Sequence, residues 1–353
     1  MKELYGLATA IGSLPQREAD TALSMIFSSV PEIPHWPQLP TAGAAEGFIR
    51  QYLTPLLDRR LVVEAPGRSP YFPTAAADWL ERITAFYSEV LDETDPKAPQ
   101  HFGFPKESAA GFYAFLQRLH EKGPGAARYI KGQLSGPVTM GFQVTDENMQ
   151  PAFYNEELRD MLVRSLIMQV RWQARTLAAF DRPVILFIDD PGIYGYGQST
   201  FVGLSKEAIQ DSLRPLIDAA HEEGALVGVH ACAGVDWSLL FELPLDIVNI
   251  DVYHYFTSLV LYAAEFAEYL SRGGTLAWGL VPTSDEITTE SAQSLLKRLE
   301  EYFQTLEKKG VDRDRLRKQL IFTPSCGTGT LTTSQAEAVY ARLQEVSKTY
   351  RSR

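Results

Sequence analysis

Cysteine is nearly absent: the 353 residues include two, Cys232 and Cys326. Two thiols cannot build a disulfide framework, and in a reducing compartment they stay free, either as small buried hydrophobes or as thiolate ligands. Long apolar runs are missing as well, with no window reaching the ~18 uninterrupted residues of a membrane span. The opening MKELYGLATAIGSLP has too short an apolar stretch, with Glu3 near its start, to read as a secretory signal. Positive charge is in short supply: 33 Lys+Arg stand against 44 Asp+Glu, a net charge of −11, and no basic block occurs. Without a cationic surface, nucleic acid is excluded as the main partner. Repeats, low-complexity tracts and Gly/Ser linkers are also lacking, which favours one continuous domain over residues 1–353. The expectation is a soluble, cytoplasmic protein with no membrane or nucleic-acid partner.

What is present is a chain 45% hydrophobic and 22% charged, able to bury a large core. From about residue 125, short β-rich runs alternate with longer helical ones. Strands are predicted at 128–134, 184–189, 225–230, 246–251, 275–280 and 319–322, several of them near-continuous apolar runs (VILFI, ALVGV, DIVNI), as befits parallel strands covered on both faces. Helical patterns fall at 155–179, 206–223, 258–271, 284–309 and 334–347. Two earlier strands at 4–10 and 61–64 bring the count to eight, enough to close a (β/α)₈ TIM barrel of the α/β class. Residues 32–101 read as irregular. The segment PEIPHWPQLP, with four prolines in ten residues, is no helix and is expected as an excursion over one mouth of the barrel. An open doubly wound sheet is the other reading, although the Gly-rich turn after a first strand is missing.

In a barrel, chemistry gathers at the C-terminal ends of the strands, since these point to one face. Polar residues there are Ser13, Ser135, Asp189, Asp190, His230, Cys232, Asp251 and Cys326, a set that includes both cysteines. In VGVHACAG, His230 and Cys232 are two apart, and extended residues i and i+2 point the same way. Cys326 follows 94 residues later, at the end of the last predicted strand. One imidazole and two thiolates suit zinc, with a fourth position for water, a carboxylate or substrate. The plainer alternative is a packed core pair. Asp189 and Asp190 are equally suited to capping a helix. Tyr194 and Tyr196 read as mouth-lining or packing aromatics, and the remaining histidines as structural or surface residues, His254 being the one nearest the presumed site.

Five motifs, taken in order, add a family resemblance over most of the chain: IGSLP at 11–15, LSGPVTM at 134–140, IDDP at 188–191, VHACAG at 229–234 and SCGTGT at 325–330. Together they resemble the zinc-dependent thiol methyltransferases of the methionine synthase/uroporphyrinogen decarboxylase barrel superfamily. The nearest likeness is the catalytic C-terminal half of cobalamin-independent methionine synthase.

The resemblance implies Zn²⁺ held by His230, Cys232 and Cys326, with Asp251 at the position of a carboxylate that can complete the zinc shell or hydrogen-bond a ligand imidazole. It implies catalytic parts for Asp189 and Asp251, and contacts from Ser13, Asp189 and Glu46 to a homocysteine-like acceptor. The implied reaction is methyl transfer to a zinc-activated thiol. Homocysteine would give methionine, and the donor would be a methylcorrinoid (methylcobalamin, supplied by a corrinoid protein) or methyltetrahydrofolate. A methylcobalamin:coenzyme M-type methyltransferase and a non-catalytic zinc-binding subunit of a corrinoid system are the alternatives. Uroporphyrinogen decarboxylase is disfavoured, because its arginine-rich N-terminal signature is absent around Ile11–Glu18.

Overall fold

The computed structural model describes residues 4–92 and 95–353. Its framework is one parallel sheet of seven strands: β1 (Leu7–Ala8), β2 (Ile130–Ser135), β3 (Val184–Asp189), β4 (Leu226–Ala231), β5 (Ile247–Ile250), β6 (Thr275–Val281) and β7 (Leu320–Pro324). The spatial order β1-β7-β6-β5-β4-β3-β2 makes every step from β2 to β7 a crossover to the next neighbour. β1 and β2 are left at the two edges. Strands β2, β3 and β5 to β7 are buried throughout, which is why their sequences read as apolar runs rather than alternating ones.

The eighth strand expected at 61–64 does not join this sheet; Val63 makes only an isolated antiparallel bridge to Tyr71. Nor does the ladder close. Instead, the proline-rich segment passes between the two edge strands. On one side the Gln38 amide donates to Gly12 O, and Leu14 donates back to Gln38 O. On the other, Arg128 and Tyr129 donate to Glu32 O and Lys131 to Pro34 O. The expectation of an excursion over one mouth is thus corrected for this stretch. Prolines at 31, 34, 37 and 40 remove every third N–H, so a continuous ladder is impossible and only isolated bridges form. Its continuation does reach a mouth, where Pro40 and Phe48 line a pocket. The region called irregular also contains two helices, Arg50–Asp58 and Trp79–Val90.

The later helices follow their sequence signals. Asn155 caps Glu156–Ala178, Ser205 caps Lys206–Glu222, and Ser291 and Thr332 form capping boxes on Ala292–Lys308 and Thr333–Arg351. One helix begins earlier than expected: Val252–Leu261 starts directly at the end of β5 with Asp251 as its N-cap. Among the described residues, no helix is long and apolar enough to cross a membrane.

Polar side chains occupy the interior enclosed by the sheet. Lys131 is fully buried, its Nζ donating to Ile11 O (2.7 Å) and Gln133 Oε1 (3.3 Å) and lying 4.5 Å from the centre of the Phe187 ring. Burial pushes its ammonium down to about 7, against the pull of Asp189. His35, also fully buried, is pushed down to about 3, first by burial and then by Lys131. It stays neutral: Nδ1 pairs with Trp36 O and Nε2 with the Tyr340 hydroxyl.

Because the folded pKa of His35 lies below its unfolded 6.5, its contribution is fully present above 6.5 and is lost as pH falls toward 3. We expect unfolding free energy to drop with acidification across this window. His35→Gln should make the slope shallower by about one proton, roughly 1.4 kcal/mol per pH unit. Urea titrations between pH 4 and 7 measure it; identical slopes in the two proteins would contradict this assignment.

Candidate metal centre

His230 is the penultimate residue of β4 and Cys232 lies just beyond its end, so an extended backbone aims both side chains at one point. Cys326 follows the end of β7. His230 Nε2 lies 2.7 Å from Cys232 Sγ, and Cys232 Sγ lies 2.9 Å from Cys326 Sγ. The three ligand atoms fall within 4.8 Å of one another, a grouping that can hold one metal ion.

The imidazole is oriented from behind. Asn249, buried in the middle of β5, donates its Nδ2 to Ala277 O (2.8 Å) and Thr323 Oγ1 (2.7 Å). Since a carbonyl can only accept, this fixes the amide, and Oδ1 faces His230 Nδ1 in a hydrogen bond. Nδ1 therefore carries the proton, and Nε2 presents its lone pair to the two sulfurs. Sequence reading missed Asn249, although a polar residue inside the apolar run IVNI was a usable signal. Asn249→Ala should weaken metal affinity about 10–100-fold by freeing the ring; competition with a chelator measures it, and unchanged affinity would remove Asn249 from the centre.

The electrostatics suit a cation. The hydrogen bond from Cys232 pushes the Cys326 thiol down to about 4, with burial opposing and His230 assisting. Cys232 is raised in turn by the neighbouring Cys326 sulfur and by burial. Without a metal, the two sulfurs share one negative charge. Burial alone would lower His230, but the Cys326 sulfur, Asp189 and Asn249 raise it overall. A divalent cation relieves this crowding by drawing both sulfurs into the thiolate form. The donor set of two thiolates and one imidazole, with its tautomer already selected, fits zinc.

The cluster forms one wall of a pocket of about 310 Å³, whose other walls include Ile11, Ser13, Gln38, Pro40, Phe48, Asp189, Pro191 and Thr330. No lysine or arginine lines it. Asp189 is 6% exposed and its Oδ1 has no hydrogen-bond partner. Burial pushes its carboxyl up to about 7, offset by Lys131 and His230. Asp190 plays the other part open to this pair: its carboxylate accepts from Val138 N, Thr139 N and Thr139 Oγ1, tying β3 to the N-terminus of helix Pro137–Gln143.

Ser13 reaches the pocket because the chain after β7 packs against it. Thr328 bonds Ser13 O through both N and Oγ1, and Gly329 N lies 3.4 Å from Ser13 Oγ. A Cβ at Gly327 would fall 2.2 Å from Ser13 Oγ, so glycine is what lets these segments meet.

Asp251 and Glu46 are placed differently. Asp251 lies outside the three-residue group. Its carboxylate accepts from His254 N (3.0 Å) and His254 Nδ1 (2.8 Å), while the ligand imidazole is held by Asn249. Glu46 is buried, with Oε1 accepting from Ala110 N (2.7 Å) and Oε2 unpartnered, and it is not among the residues lining the pocket.

No family model matches the chain, and no curated protein matches it. Among solved structures it is similar to a B12-independent methionine synthase from Shewanella sp. W3-18-1 in complex with selenomethionine. That match has 16% identity over 68% of this chain and 67% of that one, at a TM-score of 0.47. A Bacteroidetes-affiliated GH5 cellulase is similar at 14% identity, 69% and 80% coverage and a TM-score of 0.39. A modular endo-beta-1,4-mannanase from Cellulomonas fimi follows at 12%, 96% and 76%, and 0.33. At these values the likenesses carry no reading of the site, which rests on its own geometry.

Proposed function

We propose that this protein is a zinc-dependent thiol methyltransferase of the methionine synthase-like barrel superfamily. It takes homocysteine as acceptor and a methylcorrinoid, or methyltetrahydrofolate, as donor. In this reading residues 32–38 stand in for an eighth stave of a (β/α)₈ barrel, and the chain works in the reducing cytoplasm, where both cysteines stay available. The observation that carries it is the convergence of His230 Nε2 and both sulfurs within 4.8 Å at a pocket that also holds the unpartnered oxygen of Asp189.

His230, Cys232 and Cys326 hold the metal, their two negative charges matching its +2. Zinc, when bound, supplies a Lewis acid that lowers the pKa of an acceptor thiol into the neutral range. Asp189 receives the α-ammonium of the amino acid, and Ser13 flanks it. Ile11, Pro40, Phe48 and Pro191 exclude water from the sulfur and hold it in line with the donor. The thiol proton leaves to solvent; a sulfur lone pair forms the new S–CH₃ bond while the donor keeps the electrons of its broken bond to methyl.

The absence of lysine and arginine from the pocket disfavours coenzyme M, whose sulfonate needs a cation. Metal analysis of the purified protein, followed by methylcobalamin assays with homocysteine and coenzyme M side by side, tests the reading. About one zinc per chain and turnover on homocysteine are expected. Zinc and thiol binding with no turnover on any donor would instead support a non-catalytic zinc subunit, and a metal-free protein would sink both.

A further inference from the structure

Gln38 is a wall of the pocket that the methyl-transfer chemistry leaves unused, and all but one of its polar groups are fixed. Its backbone is pinned on either side of Ser13: the Gln38 amide donates to Gly12 O at 3.0 Å, and its carbonyl accepts from Leu14 N at 2.9 Å. The residue is 3% exposed, and Nε2 donates to Gln51 Oε1 at 2.9 Å. Gln51, wholly buried in helix Arg50–Asp58, in turn donates its Nε2 to Ser108 O. That last acceptor is a backbone carbonyl, which cannot donate, so it sets the direction of the whole chain of bonds. Turning either amide over would bring two oxygens face to face. Gln38 Oε1 is the end left over, on a residue that lines the pocket, and no donor among the described residues reaches it.

The pocket thus holds two acceptors that nothing in the protein satisfies, Gln38 Oε1 and the Asp189 carboxylate, whose Oδ1 is likewise unpartnered. It has no lysine or arginine to meet them. Such a lining calls for a positively charged head group with more than one N–H. We propose that Gln38 is a specificity-determining residue: its Oε1 takes a second N–H of the acceptor's ammonium, beside the one taken by Asp189, so the site selects thiols that carry a primary ammonium. This rests on the methyltransferase reading above and narrows its acceptor class. The number of N–H groups decides the outcome. A primary ammonium has three and serves both oxygens. An N,N-dimethylammonium has one; it keeps the charge and the bond to Asp189 but presses methyl groups on Gln38 Oε1, leaving that oxygen desolvated without a donor. A site built to hydrogen-bond a substrate rejects the analogue that lacks the donor, whereas an apolar wall in its place hardly distinguishes the two.

The test sets Gln38→Met, unbranched and similar in size but without an oxygen, against wild type. The acceptors are homocysteine, N,N-dimethylhomocysteine and butanethiol, with methylcobalamin as donor. In the wild type, kcat/KM for homocysteine should exceed that for its dimethyl analogue by about tenfold or more, and in the variant this ratio should fall below about threefold. The preference for homocysteine over butanethiol should also fall, by about tenfold and through KM, with zinc content unchanged. A substitution that merely loosens the fold would slow all three acceptors together and leave both ratios intact; that result would overturn the proposal. So would a wild type that treats homocysteine and its dimethyl analogue alike. Because Gln38→Met strands Gln51 Oε1, the double variant Gln38→Met/Gln51→Met, which removes both ends of that bond, takes its place if the single one does not fold. If the wild type methylates no thiol, it is the functional reading that fails, and calorimetric titration with the two amines then decides the role of Gln38 by itself. Weaker binding of the dimethyl analogue by wild type but not by the variant supports it; equal binding of the two by wild type, or no binding of either, ends it.

Discussion

Cys326→Ser should empty the metal centre and abolish thiol methylation while leaving the fold intact. A serine hydroxyl matches the thiol in shape but is not deprotonated at neutral pH, so the remaining donors are one imidazole and one thiolate. Loss of one of three protein donors should take away most of the affinity, because the binding free energy is shared over few bonds. Zinc per chain should fall from about one to under a tenth, and turnover by about 10³-fold or more, as the acceptor thiol returns to its ordinary pKa near 8.5. The neighbours argue against collapse. Ser325 Oγ, which holds Thr283 N at 3.0 Å, and the glycine at 327 beside Ser13 are untouched. Emission spectroscopy of zinc and a methylation assay read the result; full metal content and full activity in the variant would remove the basis of the proposed function.

Asp189→Asn carries the second-largest effect, on the acceptor rather than on the metal. The carboxylate is almost wholly buried and its Oδ1 has no donor within the protein. An unpaired buried oxygen is costly unless something else pairs with it, and the α-ammonium of an amino-acid thiol meets that need. Replacing the charge with an amide should raise KM for homocysteine about 30–100-fold, equivalent to roughly 2–3 kcal/mol for a charge-assisted hydrogen bond. Zinc content should hold. A thiol lacking the amino group, such as butanethiol, should be methylated equally by both proteins, which separates loss of recognition from general damage.

The pH dependence has a definite sign. With the Asp189 carboxyl pushed up to about 7 by burial, the charged form gains population as pH rises through neutrality. Homocysteine affinity should therefore strengthen between pH 6 and 8 more steeply than the release of the thiol proton alone requires, and the Asn variant should keep only the shallower, thiol-dependent part of that slope. A wild-type KM that is flat across this range would argue against Asp189 as the ammonium partner.

Much of this molecule is legible without coordinates. The buried strands β2 to β7 announce themselves as apolar runs, because a parallel strand covered on both faces tolerates little else, and the helices between them carry their own caps. The same reasoning placed polar residues at strand ends, which is how His230, Cys232 and Cys326 came into view. It failed at residues 61–64, whose short β-like run has no open sheet edge to join, and at the proline-rich segment. There, missing N–H groups signal loss of regular structure without saying where the chain goes; the gap between β1 and β2 decides that.

The α/β alternation, the shortage of positive charge and the strand-end positions of His230, Cys232 and Cys326 can all be read from the amino acids alone. These are local properties, set by hydrophobic period, capping and backbone chemistry. Which polar groups meet is settled in three dimensions: Asn249 rather than Asp251 behind the imidazole, Asp189 rather than Asp190 in the pocket, Lys131 beneath Ile11. Such pairings depend on strand register and on loops from distant parts of the chain arriving within hydrogen-bond reach, and no single segment encodes that distance.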